Sequence, residues 1–137
     1  SDDRSQIAEY LAAYHGECIQ HIALGTDNIF RTVESLRDRG IPFQTVPDTY
    51  YEQVEARLPG HGEDLARLAQ NRILIDGAPT PDGGRLLQIF TDTVIGPIFF
   101  EVIQRKGHEG FGEGNFKALF ESIELDQIRR GVLSPSP

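Results

Sequence analysis

The sequence predicts an α+β domain, and three observations carry that reading. Strand-like and helix-like apolar periods alternate between residues 18 and 46 and give a β-α-β start. Three apolar runs bounded by turn residues follow after residue 71, and amphipathic stretches stand at both ends of the chain. At 137 residues the chain is one domain by length, long enough to bury roughly two thirds of its unfolded surface in a single core.

Asp2 or Asp3 is suited to cap a leading helix over residues 2–14, with Ile7 and Leu11 at i, i+4 spacing and Gly16 as its stop. A strand is expected from Cys18 to Leu24. Thr26 or Asp27 then starts a second helix whose Ile29, Val33 and Leu36 share a face, and Arg37, Arg39 and Gly40 make its basic last turn and stop. Ile41 to Val46 reads as a short strand, and Pro47-Asp48 opens a helical stretch to Leu58. After the turn at residues 59–62, Glu63 to Gln70 reads as a short helix.

The three later strands are Arg72–Asp76, Arg85–Thr91 and Ile98–Arg105, separated by a turn at residues 79–84 and by Gly96-Pro97. The order is thus β-α-β, helical insert, β-β-β, with the module spanning 18–105. A glycine- and phenylalanine-rich loop and a closing helix occupy 107–131, and 132–137 is a short tail. Asn115 is placed to cap the closing helix and Gly131 to stop it. Its Leu119, Phe120, Ile123 and Ile128 form a broad apolar face expected to pack on the sheet.

Thirteen basic against 21 acidic residues give a formal charge of −8, which repels nucleic-acid phosphates and anionic membrane surfaces. Neither is expected as a partner. The N-terminal residues lack a basic segment followed by an apolar one, and the longest apolar runs are broken by Gly96, Pro97 and Glu101. Cys18 is the single cysteine, so no intrachain disulfide forms; it reads as a small hydrophobe in a strand, and a reducing, cytoplasmic compartment is expected.

Glu101 is the residue that most needs a reason. It stands in an apolar strand, next to Phe100 and Val102, and burying an ionised carboxylate costs on the order of several kcal/mol unless it is paired or holds a metal. Strand alternation puts His21 on a face with Ile19 and Ala23, Gln88 with Leu86 and Phe90, and Glu101 with Phe99 and Ile103. A lone strand histidine is more often a hydrogen-bonded core residue than a ligand, yet a divalent first-row metal would satisfy His21 and Glu101 together.

The other histidines do not complete a ligand set, because His15 sits at a helix exit and His61 and His108 lie in glycine-flanked loops read as solvent-facing. Asp48, Glu63 and Asp76 fit turns, caps or solvated faces. The Gly-Phe-Gly-Glu-Gly segment lacks the strand context, acidic partner and Lys-Ser/Thr of a phosphate loop. It reads instead as a tight turn that directs Phe111 and Phe116 inward, to plug a core or to stack on a planar ligand.

The run Gly-Pro-Ile-Phe-Phe-Glu-Val-Ile-Gln-Arg-Lys-Gly from Gly96, followed by Gly-Phe-Gly-Glu-Gly-Asn-Phe from Gly110, resembles the C-terminal part of the 4-hydroxyphenylpyruvate dioxygenase family. Ser5-Gln6-Ile7, Ile19 to Ala23, Pro47 to Tyr51, Arg57-Leu58-Pro59, Ile73 to Asp76 and Leu86 to Phe90 carry the same resemblance, which spans about Ser5 to Leu133. It implies a vicinal-oxygen-chelate fold, in which paired β-α-β-β-β modules form an open barrel around Fe(II). By that analogy His21 and Glu101 are iron ligands, with a further histidine expected upstream of this chain. Gln6, Gln20 and Gln88 would line a substrate pocket walled by Phe90, Phe99, Phe111 and Phe116. Adjacent Gln20 and His21 point to opposite faces of an ideal strand, so a twist or bulge must intervene.

The resemblance further implies conversion of 4-hydroxyphenylpyruvate and O2 to homogentisate and CO2 in tyrosine degradation, in a full-length enzyme that is a homo-oligomer. It implies that this chain alone is inactive. Two alternatives stay open: hydroxymandelate synthase, which shares substrate and ligands, and a homodimeric module that is non-catalytic or shares a metal between two copies.

Overall fold

The computed structural model describes residues 6–80 and 83–132, with side chains from Ala8 onward. In chain order the elements are α1 (Gln6–Tyr14), β1 (His21–Gly25), α2 (Ile29–Asp38), α3 (Asp48–Glu52), α4 (Val54–Arg57), α5 (Leu65–Asn71), β2 (Leu74–Gly77), β3 (Arg85–Phe90), β4 (Phe99–Lys106) and α6 (Glu113–Arg129). The strands form one mixed sheet in the order β1-β4-β3-β2, with β1 parallel to β4 and the other pairs antiparallel. This is the β-α-β-β-β arrangement of a vicinal-oxygen-chelate module. The Asp2 or Asp3 cap lies outside the described residues.

Register separates the two faces of the sheet. His21 pairs with Phe99, Ala23 with Glu101, Phe90 with Glu101, Gln88 with Ile103, and Leu74 with Gln88, so these residues share one face. The opposite face presents Ile75, Leu87, Ile89 and Val102, all buried with Ile29 and Val33 of α2. Asn28 begins α2 by accepting from Arg31 N at 3.1 Å, and Gln104 Oε1 accepts from Ile29 N at 3.0 Å, which ties the helix to β4.

Several expected elements differ. Residues 41–46 do not form a strand; only Phe43 bridges to Thr91, because Pro42 and Pro47 remove donors and Phe43 and Val46 turn into the core. The first strand begins at His21 rather than Cys18, and Cys18 is exposed rather than buried in a strand. Arg72 is the left-handed cap of α5, so β2 starts only at Leu74.

The closing helix departs further. Gly112, with φ 80°, precedes its first turn, and Asn115 does not cap it but is buried inside that turn. The buried residues are Asn115, Ala118 and Ser122; of the expected apolar face Leu119 packs against the core, whereas Phe120 and Ile123, with Phe116, face outward. Small and polar side chains let the helix approach α3 closely, where Thr49 Oγ1 donates to Ser122 O at 2.7 Å. Gly131 does stop it, with φ 73° and its N–H on Ile128 O.

Candidate metal centre

Strand β4 is central in the sheet, and Glu101, its third residue, has only 6% of its surface exposed. Strand β1 is the sheet edge, where all five residues are exposed. The parallel register brings the two strands' polar side chains together: His21 Nε2 lies 3.4 Å from Glu101 Oε2. The imidazole stacks on Phe99, with centroids 5.2 Å apart, and Phe90 meets Phe99 edge-on at 5.9 Å.

Gln20 resolves the facing problem without a bulge, because it precedes β1 and escapes strand alternation. Its Oε1 lies 3.2 Å from His21 Nδ1. With Nδ1–H donating to that oxygen, the Nε2 lone pair turns toward the Glu101 carboxylate. Two lone-pair donors then converge, and a cation between them removes the repulsion. Burial pushes the Glu101 carboxyl above the ordinary range, opposed by His21 when its ring is protonated and by the Arg105 charge. The carboxylate accepts no hydrogen bond among the described residues.

The donor set fits a first-row metal. Ligand atoms about 2.0 to 2.2 Å from such an ion span the 3.4 Å seen between Nε2 and Oε2. It is two ligands only: among the described residues no group of three His, Cys, Asp or Glu side chains is placed to hold a metal.

Gln88 is on the same sheet face, 2% exposed, and accepts from Asn115 Nδ2 at 3.2 Å. The side chain of Gln6 lies outside the described residues. Phe111 and Phe116 are not turned inward: they are 74% and 70% exposed, Phe111 lying under the Arg105 guanidinium. His61 is buried rather than solvent-facing, its Nε2 3.2 Å from Glu55 Oε2 and its Nδ1 accepting from Glu63 N. His108 is half-buried, and its Nδ1 accepts from Gly110 N.

Asp76 and Glu63 also depart from a solvated role. Asp76 is buried and accepts from Gly77 N and Gly114 N, and Glu63 pairs with Lys106 at 2.7 Å. Asn115 was legible only as a helix cap, and nothing in the sequence pointed to its contact with Gln88.

No protein-family profile matches the chain. It is 69% identical over 98% of its length to a protein named hemolysin VllY from Vibrio vulnificus, and 68% identical over 97% to 4-hydroxyphenylpyruvate dioxygenase from Pseudomonas aeruginosa. In each case it spans 37% of the relative, somewhat over a third. Among solved structures, a triple mutant of 4-hydroxymandelate synthase from Streptomyces coelicolor superposes with a TM-score of 0.74 at 37% identity, over 92% of this chain and 36% of that one.

In sequence the chain matches the C-terminal portion of relatives named 4-hydroxyphenylpyruvate dioxygenase, and in fold it matches the 4-hydroxymandelate synthase. In this chain His21, Glu101, Gln20, Gln88, Phe90 and Phe99 lie on or beside one sheet face. No helix among the described residues is long and apolar enough to cross a membrane.

Proposed function

We propose that this chain is the metal-holding module of an Fe(II)-dependent 4-hydroxyphenylpyruvate dioxygenase, which converts its substrate and O2 to homogentisate and CO2 in cytoplasmic tyrosine degradation. The observation that carries the reading is the approach of His21 Nε2 to the buried Glu101 carboxylate, which has no other partner among the described residues. High identity to relatives named for that activity supports it. The third ligand, a histidine, comes from residues outside this chain, so the 137-residue chain alone is inactive.

When bound, Fe(II) supplies the oxygen-activating and oxidative chemistry. The chain's own residues place and shield it. Glu101 and His21 hold the ion, Gln20 fixes the imidazole tautomer through Nδ1, and Phe99 locks the ring plane by stacking. Phe90 and Phe99 offer an apolar wall for the aromatic ring of the substrate, and Gln20 and Gln88 offer amides to its oxygens. Phe111 and Phe116, both largely exposed, are the further aromatic groups that this reading assigns to that wall.

The test is O2 uptake and homogentisate formation by the intact protein with 4-hydroxyphenylpyruvate. Loss of both in His21→Ala and Glu101→Gln, with the fold retained, is expected; turnover by the 137-residue chain at the intact protein's rate would defeat the reading. Hydroxymandelate as product would assign the second activity.

A further inference from the structure

The Gly-Phe-Gly-Glu-Gly loop acquires a physical explanation from what lies under it. A Cβ on Gly112, which already holds φ 80°, would overlap the Gln88 amide oxygen, and a Cβ on Gly114 would overlap the Asp76 carboxylate. Gly114 N donates to Asp76 Oδ2 at 2.9 Å. The first turn of α6 therefore rests its bare backbone on two polar side chains of the face that carries His21 and Glu101.

Below that turn, a buried hydrogen-bond chain has one direction. Tyr50 Oη accepts from Ile75 N at 2.9 Å and from Arg57 Nη2 at 3.0 Å, which fills both lone pairs. Its single proton goes to Asn115 Oδ1 at 2.6 Å, the shorter of its two acceptor contacts; Ile75 O lies at 3.0 Å and also accepts from Arg57 Nη2 at 2.9 Å. Burial raises the Tyr50 pKa, which keeps that proton in place. Asn115 thus presents its oxygen to Tyr50 and its nitrogen to Gln88, donating to Gln88 Oε1 at 3.2 Å. The Gln88 amide orientation is settled by this sequence of donors. Its Nε2 hydrogens have no acceptor among the described residues.

We infer that Tyr50 and Asn115 are positioning residues: the relay from Arg57 fixes Gln88 as a hydrogen-bond donor on the metal-bearing face and pins the first turn of the closing helix. The group that Gln88 receives is then a substrate oxygen offering lone pairs, not a donor. The inference rests on the dioxygenase reading for its substrate and on the structure alone for the relay.

Asn115→Asp in the intact enzyme keeps the side-chain shape and the acceptance from Tyr50 but loses the donor to Gln88. The new carboxylate then draws the Gln88 amide nitrogen to itself and turns its oxygen outward. KM for 4-hydroxyphenylpyruvate is expected to rise about tenfold while kcat changes by less than about threefold. An unchanged KM, or a loss confined to kcat, overturns the positioning role. Tyr50→Phe supplies a readout independent of turnover: amide hydrogen exchange across residues 113–119 is expected to quicken by about tenfold, with β3 unaffected. Unaltered exchange overturns the relay. If the wild-type protein does not turn over 4-hydroxyphenylpyruvate, the proposed function fails, and the exchange result still decides the relay.

Discussion

Alanine placed at the two glycines that flank α6 separates backbone strain from steric overlap. Gly131 has φ 73° and open space around its Cβ position, so Gly131→Ala meets only the left-handed penalty, about 1 kcal/mol. Gly112 has φ 80° and carries the same penalty, but its Cβ would occupy the position of the Gln88 amide oxygen. Gln88 is nearly fully buried, so its side chain cannot swing away freely. Relief must break its hydrogen bond from Asn115 or lift the first turn of α6. Leaving buried amide groups unpaired costs about 1 to 3 kcal/mol more. The total for Gly112→Ala is about 2 to 4 kcal/mol, against about 1 kcal/mol for Gly131→Ala. For a chain of this length the thermal midpoint falls by roughly 8 to 15 °C in the first variant and about 4 °C in the second. Thermal unfolding followed by circular dichroism measures both. Equal losses would show that the glycine loop does not rest on Gln88.

Three further outcomes follow from the site. Because burial raises the Glu101 pKa in the folded chain, its charge destabilises the metal-free fold as pH climbs from the ordinary carboxylate range through the raised value. Glu101→Gln is then expected to stabilise the metal-free chain by about 1 kcal/mol at pH 7, an advantage that vanishes near pH 4; urea titrations at both pH values check it, and a gain that persists in acid contradicts the cause. In the intact protein the same substitution and His21→Ala each weaken Fe(II) binding by at least about tenfold, read by metal titration under anaerobic conditions. Phe120→Ser, on the outward face of α6, changes the unfolding free energy of the isolated chain by less than about 0.5 kcal/mol, whereas a core-like loss would show that this face is packed.

The sequence made the topology legible because its apolar runs respect strand and helix periods. Ile29, Val33 and Ile75 fall on one side of the sheet, and His21, Gln88 and Glu101 on the other, as alternation requires. Glu101 was conspicuous because its type contradicts its surroundings. Residues whose setting depends on tertiary contacts gave no such contrast. Asp76 reads as a turn carboxylate until Gly114 is brought 38 positions back to it, and Asn115 reads as a cap until Tyr50 lies beneath it. The outward turn of Phe116, Phe120 and Ile123 was hidden for a related reason. Periodicity locates an apolar face but does not name what covers it, and here Ala118 and Ser122 pack on the body of the module instead.

The parallel pairing of β1 with β4 bears on the order of folding. Its contacts join residues separated by 78 positions, His21 to Phe99, whereas the β2–β3 and β3–β4 pairs are closed by short connections. The antiparallel meander closes small loops and is expected to form first; the edge strand must wait for the largest loop closure in the sheet. His21 and Glu101 therefore meet only when the last strand docks. The same strand, with one free edge and exposed side chains, is the first to exchange its amide hydrogens. Metal captured by this pair would hold the slowest-formed joint of the module closed.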